Sequence, residues 1–474
     1  MAPLVRIERE PSVTHSSVQI GGERVDYQAV AGTLPLFDAK GEAKANVFYI
    51  AYTRQGVRDP ATRPVVFAFN GGPGSSSVWL HMGALGPRRV LYGPEGEMLP
   101  PPGKLVSNEH SWLDVADLVF IDPVSTGYSR AVKPEDAKAY HGLQEDIEAV
   151  AEFIRIYLGR HNRWLSPKFL CGESYGGVRG AGLARSLQGM GVELNGILFV
   201  SPAIDFATLR FDDNNDLPYT LYLPTYTATA WHHKKLGEDL QRDLDTALRE
   251  SERFALTEYA AALAQGSGLS QEAQEQTARK LARLTGLSAG YILQSNLRVP
   301  ISGFAKELLR DEGRTVGRFD SRYKGIDRVR TGDRYDYDPS YSIIQGPFTA
   351  TFNHYVRAEL GHQSDLEYEI LTGAVQPWNY GAAENRYASN REALRAAMTS
   401  NPHLKVLVMG GYFDMATPYF ASAYTADHLG LDPSLAGNVS RAWYKAGHMM
   451  YIRLSELEKF KRDAAAFIRA ASPR

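Results

Sequence analysis

Polar and apolar positions alternate with a period of two from about residue 16 to 55, in SSVQIGGERVDYQAVAG and then ANVFYIAYT. Glycine turns separate the runs. That period predicts antiparallel strands, because successive strand side chains point to opposite faces. Beyond the polar break RQGVRDPATRP the pattern changes to short, wholly apolar runs: VVFAFN, DLVFID, PKFLCG, NGILFVSP and, much later, HLKVLVMGG. Such runs, bounded by turn residues, predict strands buried on both faces, and VSRAWYKAG adds another strand. Between them Leu143, Ile147, Val150, Ala151, Ile154 and Leu158 fall on one face of a helix. GVRGAGLARSLQGMG, YFASAYTADHL and the stretch from about Ser455 predict further helices. Alternating strands and helices predict the α/β class, with a doubly wound, mostly parallel sheet behind N-terminal antiparallel strands.

The rhythm breaks after Pro202. From about Asp205 to Pro339 the chain is rich in charged, helix-favouring residues, as in LGEDLQRDLDTALRESERFALTEYAAALA, with no strong buried strand. This predicts an inserted, mostly helical cap. The division expected is core over 1–204, cap over 205–340 and core again over 341–474. Tyr219, Tyr222, Tyr226, Tyr335, Tyr337 and Tyr341, within or bordering the cap, either wall an acyl-side subsite or pack the lid on its body.

Charge narrows the function classes. With 52 Lys+Arg against 54 Asp+Glu, the formal net charge is −2, and no long basic run suggests a nucleic-acid partner. No apolar run reaches the roughly 20 residues a membrane span needs. The first residues, MAPLVRIEREPSVTHSS, lack an apolar signal region: as written the chain reads as cytoplasmic, or it is the start of a mature chain whose signal was removed, and the compartment is left open. One cysteine, Cys171, excludes an intrachain disulfide and reads as a small buried hydrophobe. His232-His233 and the other histidines lack HExxH spacing, so neither a catalytic metal nor another cofactor is expected.

Gly172-Glu173-Ser174-Tyr175-Gly176 matches G-x-S-x-G between a predicted strand and a predicted helix. There a sharp turn lifts the serine hydroxyl off the strand end, and the helix N-terminus aims amides at developing negative charge. A plain helix-start turn capped by Ser174 is the simpler alternative. A nucleophilic serine needs a base, and the base needs an orienting carboxylate. Asp414 follows a strand ending in Gly410-Gly411, and His448 follows the strand VSRAWYKAG. The chain order Ser…Asp…His is the one a nucleophile elbow on an α/β sheet takes.

NGGPGSSS, NEHSW, FIDPVSTGYSR, GESYGG, GGYFDMATP and AGHMM, in that order, resemble the serine carboxypeptidase family. The likeness covers about 65–200 and 400–452, and is poor over the N-terminal strands and the cap. It implies an α/β-hydrolase fold, Ser174 as nucleophile, His448 as base and Asp414 as orienter. It also implies an oxyanion hole from the amides of Gly72 and Tyr175. The family binds the free C-terminal carboxylate of a peptide through an Asn, a Gly and two glutamates. Asn70, Gly71 and Glu173 match the first three. Ala84 stands where the second glutamate is expected, so a blunted preference for acidic pH follows. Ser75 replaces a family cysteine, which suggests a bacterial-type member without disulfides. The family is commonly secreted or periplasmic. The expected reaction is removal of C-terminal residues from peptides through an acyl-enzyme. An esterase, amidase or acyltransferase acting on an acyl substrate with the same triad is the alternative. A catalytically silent binding protein is a third reading. Oligomeric state is left open.

Overall fold

The structure, a computed structural model, describes residues 10–472; residues 1–9, part of the run read for an export signal, lie outside it. Strands β1 (Ser12–Ile20), β2 (Glu23–Phe37) and β3 (Ala43–Arg54) are the antiparallel strands that the period-two pattern predicts. The apolar runs become β4 (Val65–Phe69), β5 (Asp117–Ile121), β6 (Lys168–Glu173), β7 (Gly196–Val200) and β8 (Lys405–Gly411). The last strand is β9 (Val439–Tyr444). All belong to one sheet in the order β1-β2-β3-β5-β4-β6-β7-β8-β9, parallel from β5 onward. A two-residue strand, Arg130–Ala131, adds to β3.

Every residue of β4, β5, β6 and β7 is buried, so the sheet needs cover on both faces. Helices α1 (Leu143–Arg160) and α2 (Gly176–Gly189) cover one face with Ile147, Val150, Ile154, Leu158, Leu183 and Leu187. Glu145 and Asp146 lie in the first turn of α1 and Arg160 in its last, each complementing the helix dipole. The other face is covered by Trp112, Phe348, Phe352, Tyr451 and Phe460. Burying each such side chain contributes about 1.5–3 kcal/mol.

Residues after Asp205 are mostly helical, including α3 (Leu217–His232) and α4 (Gln271–Thr285), and they bury a core of their own around Tyr222, Tyr226, Phe254, Leu281 and Phe304. The long helix-favouring run divides into Glu238–Gln241, Leu244–Phe254 and Ala260–Gln265. It divides where the Asp243 carboxylate accepts from the Thr246 amide (2.9 Å) and so starts a new helix. A small hairpin, Thr315–Val316 against Lys324–Gly325, closes this segment. Sequence periodicity did not reveal α5 (Pro339–Ala358), whose start is set by Asp338 accepting from Ser340 N (2.9 Å) and by Pro339 at the first position. Its Phe348, Phe352 and Tyr355 pack on the sheet. Helix α6 (Leu454–Ala471) ends the described chain.

The chain runs from β4 to β5 on one side and from β6 to β7 on the other, so the winding reverses between β4 and β6. The crevice above their C-terminal ends is where open α/β sheets bind ligands. Asn70, Ser174, Asp414 and His448 all follow directly or shortly after the C-terminal ends of β4, β6, β8 and β9.

Candidate active site

Ser174 sits at the turn from β6 into α2 with φ +61°, in the left-handed region where a non-glycine residue is strained. The surroundings hold it there. Its amide donates to Val200 O (3.0 Å), and its carbonyl accepts from Gly177 N (2.8 Å) and Ala203 N (2.9 Å). The two flanking glycines make the turn possible: a Cβ on Gly172 would lie 2.4 Å from Gly176 O.

The loop after β4 lies against this turn. A Cβ on Gly71 would come within 2.4 Å of the Tyr175 amide nitrogen, so the backbones carrying the two expected oxyanion donors, Gly72 and Tyr175, touch. Gly72 has φ +104°, which only glycine adopts freely. Two buried acids brace the loop. Asp122 Oδ1 accepts from Ser77 N and Ser77 Oγ, both at 2.8 Å, and burial pushes its carboxyl up to about 6. Asp146 accepts from Arg179 Nε (2.7 Å), and the same guanidinium donates to the Asn70 carbonyl.

Asp414 and His448 meet. His448 Nδ1 donates to Asp414 Oδ2 at 2.7 Å, with both side chains buried. The other oxygen, Oδ1, accepts from Ala416 N (2.8 Å) and Thr417 N (3.0 Å), which fixes the carboxylate on its own turn. Thr417 Oγ1 lies 2.7 Å from Asp414 Oδ2 and 2.8 Å from Ser201 O. Burial disfavours the His448 cation. The charge and hydrogen bond of Asp414, with Glu173 beyond, outweigh that, so its pKa is raised.

Asn70, Gly71, Gly72, Glu173, Ser174 and His448 line one cavity of about 210 Å³. Tyr175 turns its ring away, edge-on to Trp378 and Phe206, and its side chain does not line this cavity. Trp79, Arg318, Phe319, Tyr341, Ile344 and Met449 also line the cavity. Of the six tyrosines singled out above, Tyr341 reaches the cavity, Tyr222 and Tyr226 are buried among the helices, and Tyr337 is exposed.

Glu173 is fully buried, and desolvation pushes its carboxyl up to about 7 even though hydrogen bonds from Tyr451 and Asn70 favour the charged form. The Tyr451 hydroxyl donates to Glu173 Oε2 at 2.7 Å. Ala84 is buried with no polar side chain to offer, and Tyr451 fills space beside it: a Cβ on the adjacent Gly83 would lie 2.4 Å from the Tyr451 ring. A phenol thus partners the glutamate, and Ala84 offers no second carboxyl. Cys171, buried in β6, has its thiol pushed well up by desolvation and takes no part in the cavity.

Tyr451 was not singled out in the sequence, and neither was the tip of the small hairpin, residues 318–321. This tip crosses both loops that carry the acid and the imidazole. Arg318 O accepts from Met415 N (3.0 Å), Phe319 O from His448 N (2.6 Å), and Ser321 N donates to Phe413 O (2.9 Å). Asp320 Oδ2 accepts from Gly447 N at 3.0 Å. The Phe319 ring packs 5.1 Å from the imidazole. A Cβ on Gly447 would strike Asp320 Cβ and Phe319 O, each at 2.4 Å, which is the reason a glycine precedes the histidine.

Residues 22–452 match the family model described as serine carboxypeptidase. Serine carboxypeptidase-like 46 of Arabidopsis thaliana is 29% identical over 197 residues, 40% of this chain and 39% of that protein. Pheromone-processing carboxypeptidase KEX1 of Saccharomyces cerevisiae is 32% identical over 161 residues, 32% of this chain and 21% of that protein. The aligned portions thus span well under half of these relatives. The crystal structure of the prohormone-processing carboxypeptidase Kex1(delta)p from Saccharomyces cerevisiae superposes with a TM-score of 0.58 at 18% identity, covering 93% of this chain and 91% of that one. The fold is that of the α/β-hydrolases, and no helix among the described residues is long and apolar enough to cross a membrane. With a family match running from β2 to the residues just beyond His448, the chain belongs to the serine carboxypeptidase family.

Proposed function

We propose that the protein is a serine hydrolase that removes C-terminal residues from peptides through an acyl-enzyme. The observation that carries the reading is the 2.7 Å pair of His448 Nδ1 and Asp414 Oδ2, with His448 lining the same cavity as a left-handed Ser174. Ser174 Oγ attacks the scissile carbonyl while His448 Nε2 takes its proton and returns it to the leaving amine. Asp414 holds the proton on Nδ1 and stabilises the imidazolium. The amides of Gly72 and Tyr175 donate to the oxyanion, and each such donor contributes about 2.7–4 kcal/mol. Water then repeats the sequence on the acyl-enzyme.

Asn70, Gly71 and Glu173 receive the terminal carboxylate. Below about pH 7 Glu173 is protonated and donates to it; above that pH the ionised glutamate repels it. A fluorophosphonate probe should label the wild type and fail on Ser174→Ala, whose turnover should drop by several orders of magnitude. Unlabelled but folded wild type would return the chain to the silent binding reading. Ala84 favours a second reading, that of an esterase, amidase or acyltransferase, because half of the carboxyl pair is missing. Equal kcat/KM for an N-blocked dipeptide acid and its amide would decide for that second reading.

A further inference from the structure

We infer that Arg318 is a specificity residue that binds a carboxylate of the substrate inside the cavity shared by Ser174 and His448. The inference rests on the hydrolase reading above and adds to it a cation from outside the family motifs. Arg318 lines the cavity together with Asn70, Glu173, Ser174 and His448. Its backbone is fixed at both ends: the amide donates to Asp338 Oδ1 (3.1 Å) and the carbonyl accepts from Met415 N (3.0 Å). The guanidinium therefore starts from a rigid anchor beside the triad, resting over the Phe319 ring at 5.1 Å.

What it lacks is a partner. Among the described residues the Arg318 guanidinium makes no ion pair and no hydrogen bond, whereas Arg322 four positions on is locked to Asp320 at 2.7 Å. Asp338, which holds the Arg318 amide, accepts at the same Oδ1 from Ser340 N and Ser340 Oγ and makes no ion pair with the guanidinium. Glu173 across the cavity is bonded to Tyr451. The charge of Arg318 also reaches His448, Tyr222 and Tyr335, none of them an anion that would neutralise it. A half-buried guanidinium with five donors and no acceptor is a ready receptor for a carboxylate, which it grips in a bidentate fork. It also offsets the missing second carboxyl at Ala84 by a different chemistry: attraction by a fixed cation in place of donation by a shared proton. The carboxylate has two possible sources in a peptide, the chain terminus and an acidic side chain of the leaving residue.

Binding to the Ser174→Ala protein, read by calorimetry, separates these and does not depend on turnover. Three N-blocked dipeptides suffice: one ending in leucine as free acid, the same as amide, and one ending in glutamate with its α-carboxyl amidated. One of the two carboxylate-bearing ligands should bind about tenfold or more tighter than the leucine amide. The gap should close in Ser174→Ala/Arg318→Met and shrink without vanishing in Ser174→Ala/Arg318→Lys, which keeps the charge but loses the fork. A gap confined to the leucine acid assigns the terminal carboxylate, and one confined to the glutamate amide assigns the side chain. No preference for either carboxylate, or a preference that survives Arg318→Met, overturns the inference. Failure of the hydrolase reading is seen separately, as absence of probe labelling at Ser174 in the wild type.

Discussion

Tyr451→Phe removes the oxygen that contacts Glu173 from behind the cavity and leaves the ring that packs beside Gly83 in place. The lost hydroxyl is the 2.7 Å donor to Glu173 Oε2, in a site where both groups are buried. A hydrogen bond to a charged acceptor is worth about 1.5–3 kcal/mol, and one to a neutral acceptor about 1 kcal/mol. The ionised glutamate therefore loses about 1 kcal/mol more than the protonated one. At 1.36 kcal/mol per tenfold change, that moves the protonation midpoint of Glu173 upward by about one pH unit. The direction follows from the sign: the hydroxyl favours the carboxylate, so its removal favours the acid. If protonated Glu173 receives the terminal carboxylate, the alkaline limb of kcat/KM for a dipeptide acid should move from about 7 toward about 8. An ester of the same dipeptide carries no terminal charge and serves as the control, since titration of His448 shapes both profiles. A limb that stays put, or that moves equally for acid and ester, would refute the assignment of Glu173 as the titrating carboxylate receptor.

Asp414→Asn should keep the fold and cost about 10⁴ in kcat, because the amide favours the wrong imidazole tautomer; steady-state kinetics with an ester checks it. Gly447→Ala places a methyl 2.4 Å from Asp320 Cβ and Phe319 O, so about 1–3 kcal/mol of stability should go, with a larger proportional fall in kcat than in probe binding. Urea melts check the stability loss, and turnover alongside probe labelling tests that split. Asp146→Ala leaves Arg179 buried without its anion and should destabilise by about 3–5 kcal/mol, seen as a lower urea midpoint.

The sheet was legible because its strands are either strictly alternating or wholly apolar, and both patterns are local. The elbow was legible for the same reason: Gly172 and Gly176 flank Ser174 at fixed spacing, and the closest contact a Cβ on Gly172 would make, with Gly176 O, lies within five residues. The ion pair of Asp414 and His448 was reached through chain order and the resemblance; no local signal joins residues that far apart. Helix α5 escaped because Gly346 and Pro347 interrupt it, and its amphipathic face is irregular. Tyr451 and the 318–321 tip escaped for a deeper reason. Each acts through a contact made across more than a hundred residues of chain, Tyr451 with Glu173 and Phe319 with His448. A tyrosine after a histidine, or a backbone carbonyl in a short hairpin, carries no mark of such a contact in its neighbours.

The placement of residues 318–321 bears on how the molecule can be re-engineered or can diverge. Swapping the whole helical segment for that of a relative, a common route to new substrate range, would take away the acceptors on which the Met415 and His448 amides depend. Two backbone donors would then face the interior unanswered, and the acid and base would lose their alignment along with their old specificity. Successful chimaeras should therefore splice outside Thr315–Gly325, keeping the native hairpin while the helices before it are exchanged.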